Sequence, residues 1–137
     1  MLIILYTLGW WSEMALGKTV GTILSNKTAA ASGSTTLTDC TTIDTSACLL
    51  LGIECVVTYH ASATQGVTVK IFASGDDSNY GTTEIDSFAM PFAANTTKRW
   101  SRPIIPAEKY MKVQVTNNDT GQSATAIYIY SHPLVLS

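Results

Sequence analysis

Alternation with a period of two runs through most of this 137-residue chain and constrains its fold more than any other feature. Between Cys48 and His60, the residues Leu49, Leu51, Ile53, Cys55, Val57 and Tyr59 fall on one side of an extended backbone. Cys48, Leu50, Gly52, Glu54, Val56, Thr58 and His60 fall on the other. The first set reads as a core face and the second as a mixed face that ends polar. Val67, Val69 and Ile71 repeat the pattern, as do Met111, Val113 and Val115. Near the C-terminus Ile127 and Ile129 oppose Tyr128 and Tyr130. Turn-forming residues separate these runs at 25–28 (SNKT), 31–34 (ASGS), 63–66 (ATQG), 74–81 (SGDDSNYG), 93–97 (AANTT) and 117–122 (NNDTGQ). Pro103 and Pro106 bracket a further break, because proline cannot donate to a ladder. No stretch sustains a helical period. The expected fold is all-β: an antiparallel β-sandwich, jelly-roll-like, of about eight strands.

Composition narrows the function. Only 13% of residues are charged, while twenty Thr and thirteen Ser supply polarity through hydroxyls. Thr is β-branched and suits a pleated surface. A hydrophobic share of 46% excludes a disordered chain. Eight basic against ten acidic residues argue against a nucleic-acid binder. No apolar run approaches the roughly 18 residues that span a bilayer. Cys40, Cys48 and Cys55 make an odd count that is no disulfide framework and read as reduced thiols. Cys48 and Cys55 would face opposite sides of one strand, which leaves Cys40 with either as the alternative pairing.

The opening MLIILYTLGWW is almost wholly apolar. Three readings are open: a signal peptide, an arm that inserts into a neighbouring subunit, or a native start at Met14. The third is preferred, because no Lys or Arg precedes Lys18 and SEMALG is a poor cleavage site. Residues 1–17 are therefore an apolar N-terminal extension or arm, and 18–137 a single β-sandwich domain.

Candidate chemistry is sparse. A hydrolytic triad needs a positioned histidine, and only His60 and His132 exist, at a strand end and before Pro133. Glu84 and Asp86 alternate on one strand, as a carboxylate pair or an exposed polar face would. Asp76 and Ser78 offer hard oxygen donors for calcium but lie in a stretch whose Asp, Asn and Gly are turn residues. Neither histidine has the close Cys or His partner that zinc needs. The N-x-T sequons at Asn26, Asn95 and Asn118 carry little weight in so Thr-rich a chain. These residues point to no catalytic site, no cofactor and no metal. Contact surfaces are the better expectation. Tyr128 and Tyr130 share one strand face, and Lys98, Trp100 and Arg102 share another, with Arg99 opposite. Tyrosine rows fill subunit interfaces or stack on sugars.

Three stretches carry a family resemblance. GVTVKIFASGDDSNYGTTEIDSF resembles a strand, a Ser-x-Asp turn and a following strand in small β-sandwich structural proteins of tailed phages and prophages. RPIIPAEKYMKVQVTNNDTGQSATAIYIY resembles their closing segment, and TVGTILSNKTAAASGSTTL is similar to their openings. The turn departs from the familiar Ser-Pro-Asp-Gly, reading Ser74-Gly75-Asp76-Asp77. The resemblance implies a non-enzymatic virion protein, a head decoration or head/tail accessory module, assembled in the host cytoplasm. Its partners would be further copies of itself, as in a trimer, and other virion proteins, with no nucleic acid and no membrane. The alternative is a carbohydrate-binding β-sandwich module using the same aromatics on a glycan.

Overall fold

A computed structural model describes the backbone of residues 2–7 and 10–136 and the side chains of residues 16–135. Among the described residues ten strands follow in chain order. They are β1 (Leu2–Thr7), β2 (Trp10–Lys18), β3 (Gly21–Ala29), β4 (Ile43–Asp44), β5 (Cys48–Tyr59), β6 (Val67–Ser74), β7 (Asp86–Ala89), β8 (Thr97–Ile104), β9 (Tyr110–Asn117) and β10 (Ala124–Leu136). One short 3-10 turn, Leu37–Asp39, interrupts the β3–β4 connection. All pairings are antiparallel. One sheet runs β1-β2-β10-β5-β8, with β3 also on β10, and the other runs β4-β9-β6-β7. From β3 onward eight strands order as β3-β10-β5-β8 and β4-β9-β6-β7. The fold is an antiparallel β-sandwich with the strand order of a jelly roll.

The period-two residues supply the core. Leu51, Ile53, Cys55 and Val57 of β5, with Ile127 and Ile129 of β10, are fully buried. So are Val69 and Ile71 of β6 and Met111, Val113 and Val115 of β9. Each sheet thus buries one face against the other. Leu49 departs from expectation and is 53% exposed. Leu134 pairs with Leu50 while Val135 pairs with Cys48, so Leu49 is the extra residue of a bulge and leaves the core phase. The expected turn at 25–28 lies inside β3. There Asn26 adopts φ 48° and shifts the register against β10, so its turn chemistry serves a bulge. Pro103 lies within β8, opposite Gly52. β8 is the edge of its sheet, where a missing N–H costs no ladder bond.

Polar groups close one end of the sandwich. Asn117 donates through Nδ2 to the carbonyls of Ala29, Ala30 and Gln122. The Asp119 carboxylate accepts from the backbone N–H groups of Thr64, Gln65, Gly121 and Gln122. These donors hold Asp119 well below the usual carboxylate range. At the opposite corner β2 joins the sheet only through residues 16–18, paired with 134–136 of β10. The rest of β2 pairs with β1 alone, as a hairpin continuing past the end of β10.

Two measurements check this account. Ala126 sits at φ 47°, a left-handed conformation that costs an L-residue about 1 kcal/mol and glycine little. Ala126→Gly should therefore raise unfolding free energy by about 0.5–1 kcal/mol in a denaturant titration. A loss of stability would refute the strain. The cysteines are all free, with Cys40 and Cys55 buried and Cys48 partly exposed. A thiol reagent should modify one group, Cys48, in the native chain and three after unfolding. Burial pushes the Cys55 thiol up to about 12, from an ordinary thiol value near 9.0. Its contribution is therefore complete below about pH 9 and lost as pH rises from there towards 12, because the unfolded chain releases the proton first. Cys55→Ala should flatten that alkaline decline.

Candidate functional site

The outer face of the larger sheet carries the densest set of polar and aromatic side chains that the core does not use. Strand register builds it row by row. Tyr128 pairs with Val56, which pairs with Arg99. Tyr130 pairs with Glu54, which pairs with Ser101. His132 pairs with Gly52, which pairs with Pro103. The rings of Tyr128 and Tyr130 lie 6.3 Å apart at 4°, almost parallel. Arg99 places its guanidinium carbon 5.9 Å from the Tyr130 ring centre and donates to Glu54 Oε1 at 2.6 Å. One cation thus caps a tyrosine and neutralises the neighbouring carboxylate. Val56, between Tyr128 and Arg99, is only 9% exposed although it faces outward.

Beyond that cluster the face becomes concave. A groove of about 390 Å³ is lined by Lys18, Leu50, Gly52, Glu54, Ser101, Arg102, Pro103, His132 and Leu134. Gly52 makes the floor. A Cβ there would lie 3.2 Å from the Cβ of His132, so the absence of a side chain both admits His132 and leaves the groove open.

The sequence-predicted residues divide between two sides of this sheet. Tyr128 and Tyr130 lie on the outer face with Arg99. Lys98, Trp100 and Arg102 pair with Val57, Cys55 and Ile53, and so share the inward side of β8. β8 is an edge, so Trp100 is 52% exposed at the lip of the sandwich. Arg102 reaches the other sheet, donating to the Ser87 carbonyl at 2.9 Å and lying 3.7 Å from Asp86. The two expected surfaces are therefore separate. Sequence alone does not mark Gly52 or Lys18 as site residues, and it offers His132 only as a candidate triad histidine. Arg99 was read only as the odd member of its cluster, and its opposite parity was the signal that it joins Glu54.

The other polar residues singled out from sequence make local contacts. Asp76 accepts from the N–H groups of Ser78 and Asn79, from Asn79 Nδ2 and from the Ser74 hydroxyl. Asp77 accepts from Thr42 and Tyr80. Burial and that bond to Asp77 push Tyr80 up to about 12. The loop is a turn held by its own carboxylates. Among the described residues no group of three His, Cys, Asp or Glu converges on a metal position. Glu84 lies outside β7 and faces Lys70 at 4.0 Å, while Asp86 faces Arg102. His60 accepts from the Ser62 N–H through Nδ1 at 3.1 Å, as part of a turn. No described helix is long and apolar enough to cross a membrane.

No protein-family profile matches the chain, and no curated protein sequence matches it. Solved structures do share the fold. A dimeric latent PorU from Porphyromonas gingivalis aligns at TM-score 0.53 and 12% identity, over 88% of this chain and 13% of PorU. The VP2 subviral particle of infectious bursal disease virus aligns at 0.50 and 12% identity, over 98% of this chain and 38% of VP2. The SPBc2 prophage-derived protein YomS aligns at 0.44 and 12% identity, over 88% of this chain and 95% of YomS. The chain spans well under half the length of the PorU and VP2 chains, and at 12% identity the likeness to those two is one of fold.

Proposed function

We propose that this chain is a non-enzymatic virion structural protein, a head decoration or head/tail accessory module that works through contacts between copies and with other virion proteins. The observation that carries the reading is the jelly-roll strand order combined with the large apolar side chains left outside it. Leu49, Ile85, Phe92, Trp100 and Ile105 are 40–78% exposed, which is costly for a chain that stays alone in water. A particle-forming viral protein uses the same fold over part of its length. The carboxylates also favour a non-catalytic role. Glu54 and Asp86 face cations, and Asp76 and Asp119 are saturated by N–H donors. Assembly in a host cytoplasm suits three free thiols.

The parallel Tyr128 and Tyr130 rings on an open sheet face favour a second reading, a glycan-binding module. Solution mass separates the two. Light scattering on a sizing column should show the full chain as a closed oligomer, such as a trimer, whose mass is unchanged on tenfold dilution. A monomer at every concentration would overturn the assembly reading. A specific hit on a glycan array, abolished by Tyr128→Ala with Tyr130→Ala, would establish the second in its place.

A further inference from the structure

We propose that the β1–β2 hairpin of one copy docks in the outer-face groove of a second copy. The inference rests on the assembly reading and names its contact. From Leu2 to Gly17 the only charged residue is Glu13, among Leu, Ile, Tyr and Trp. β1 pairs with β2 alone, and a two-stranded ribbon of that composition is marginal in water unless something covers it. Its own groove is the wrong acceptor. Residues 16–18 continue the hydrogen bonding of β10 in the plane of the sheet. Folding the ribbon back over the face of that sheet would break those pairs.

The groove of another copy fits in three respects. Leu50, Leu134 and Pro103 give apolar walls above the bare floor at Gly52. Glu54 is already neutralised by Arg99 and Arg102 faces Asp86, so Lys18 leaves the groove with an excess of positive charge for the hairpin's single carboxylate. Lys18 both ends β2 and lines the groove, so the ribbon departs from the groove's own rim and the contact runs on from it. Size agrees as well. In a reciprocal pair, hairpin and groove together offer twenty-three residues a side, with Lys18 counted once. Stable interfaces use about 20–30. Hairpin and groove are different patches, so the contact closes either as a reciprocal pair or as a ring.

The test compares the full chain, a chain starting at Met14, and the full chain carrying Leu50→Asp. Leu50 is 42% exposed, and circular dichroism with a melting curve would verify that the variant folds. The full chain should be oligomeric, the Met14 form monomeric, and Leu50→Asp at least about tenfold weaker in self-association. If all three are equally oligomeric, the hairpin contact is wrong while the assembly reading survives. If the Met14 form is monomeric but Leu50→Asp assembles normally, the groove is not the acceptor and the inference falls. If the full chain is itself monomeric, both fall.

Discussion

The phase of β10 decides which side chains this protein buries and which it shows. At its start Ala124 faces inward opposite Tyr59. Unbroken alternation from there would turn Ala126, Tyr128 and Tyr130 into the core and Ile127 and Ile129 outward. Ala126 intervenes as an extra residue at positive φ, seen in the pairing with both β3 and β5. After it, Ile127 and Ile129 are fully buried and the tyrosines face out. One strained residue thus reverses the face of a strand that holds three neighbours, and the outer aromatic row exists because of it.

A chain with so few charges must satisfy its polar groups by other means. Hydroxyl pairs do part of this: Thr58 with Thr97 links β5 to β8, and Ser34 with Thr116 ties the β3–β4 connection to β9. Thr35 accepts the Val115 N–H through its hydroxyl, and Gln114 donates to the Thr35 carbonyl. The two fully enclosed polar side chains at the loop end, Asn117 and Asp119, bond backbone rather than each other's side chains. Such bonds tie loops without requiring a matched charge, and no buried side-chain nitrogen or oxygen among the described residues is left unpaired. The ion pairs among the described residues lie at or near the surface, where solvent screening keeps each contribution small. Burial of apolar faces and the hydroxyl-rich ladder therefore hold this sandwich together.

The fold was legible wherever parity alone decides. β5 from Leu51 on, β6, β9 and the later part of β10 all bury the residues that alternation assigns to the core. Misreadings cluster at bulges, because an extra residue is visible only against the partner strand. Leu49 looks like a core leucine, and Asn26 looks like a turn, until β10 is laid beside them. Pro103 looks like a break until β8 proves to be an edge. The aromatic part of the outer site was readable from Tyr128 and Tyr130. The groove was not, since it needs Gly52, His132 and Pro103 in one row, drawn from strands fifty and thirty residues apart in the chain.

That row also explains why the larger sheet has a recess at all. An outward sheet face ordinarily fills with side chains standing side by side. Here the central position of three has none, and its neighbours are an imidazole and a proline ring. His132 gains its close approach to the β5 backbone from the same missing Cβ that leaves the recess open. Any larger residue at position 52 would push His132 aside and fill the space together. The inner faces of the sandwich are already packed against each other, so contact with another molecule falls to the outer faces, the sheet edges, the loops or the hairpin. Tyr128, Tyr130, Arg99, Glu54 and the groove form one continuous strip across β10, β5 and β8, starting at the point where the hairpin leaves the sheet.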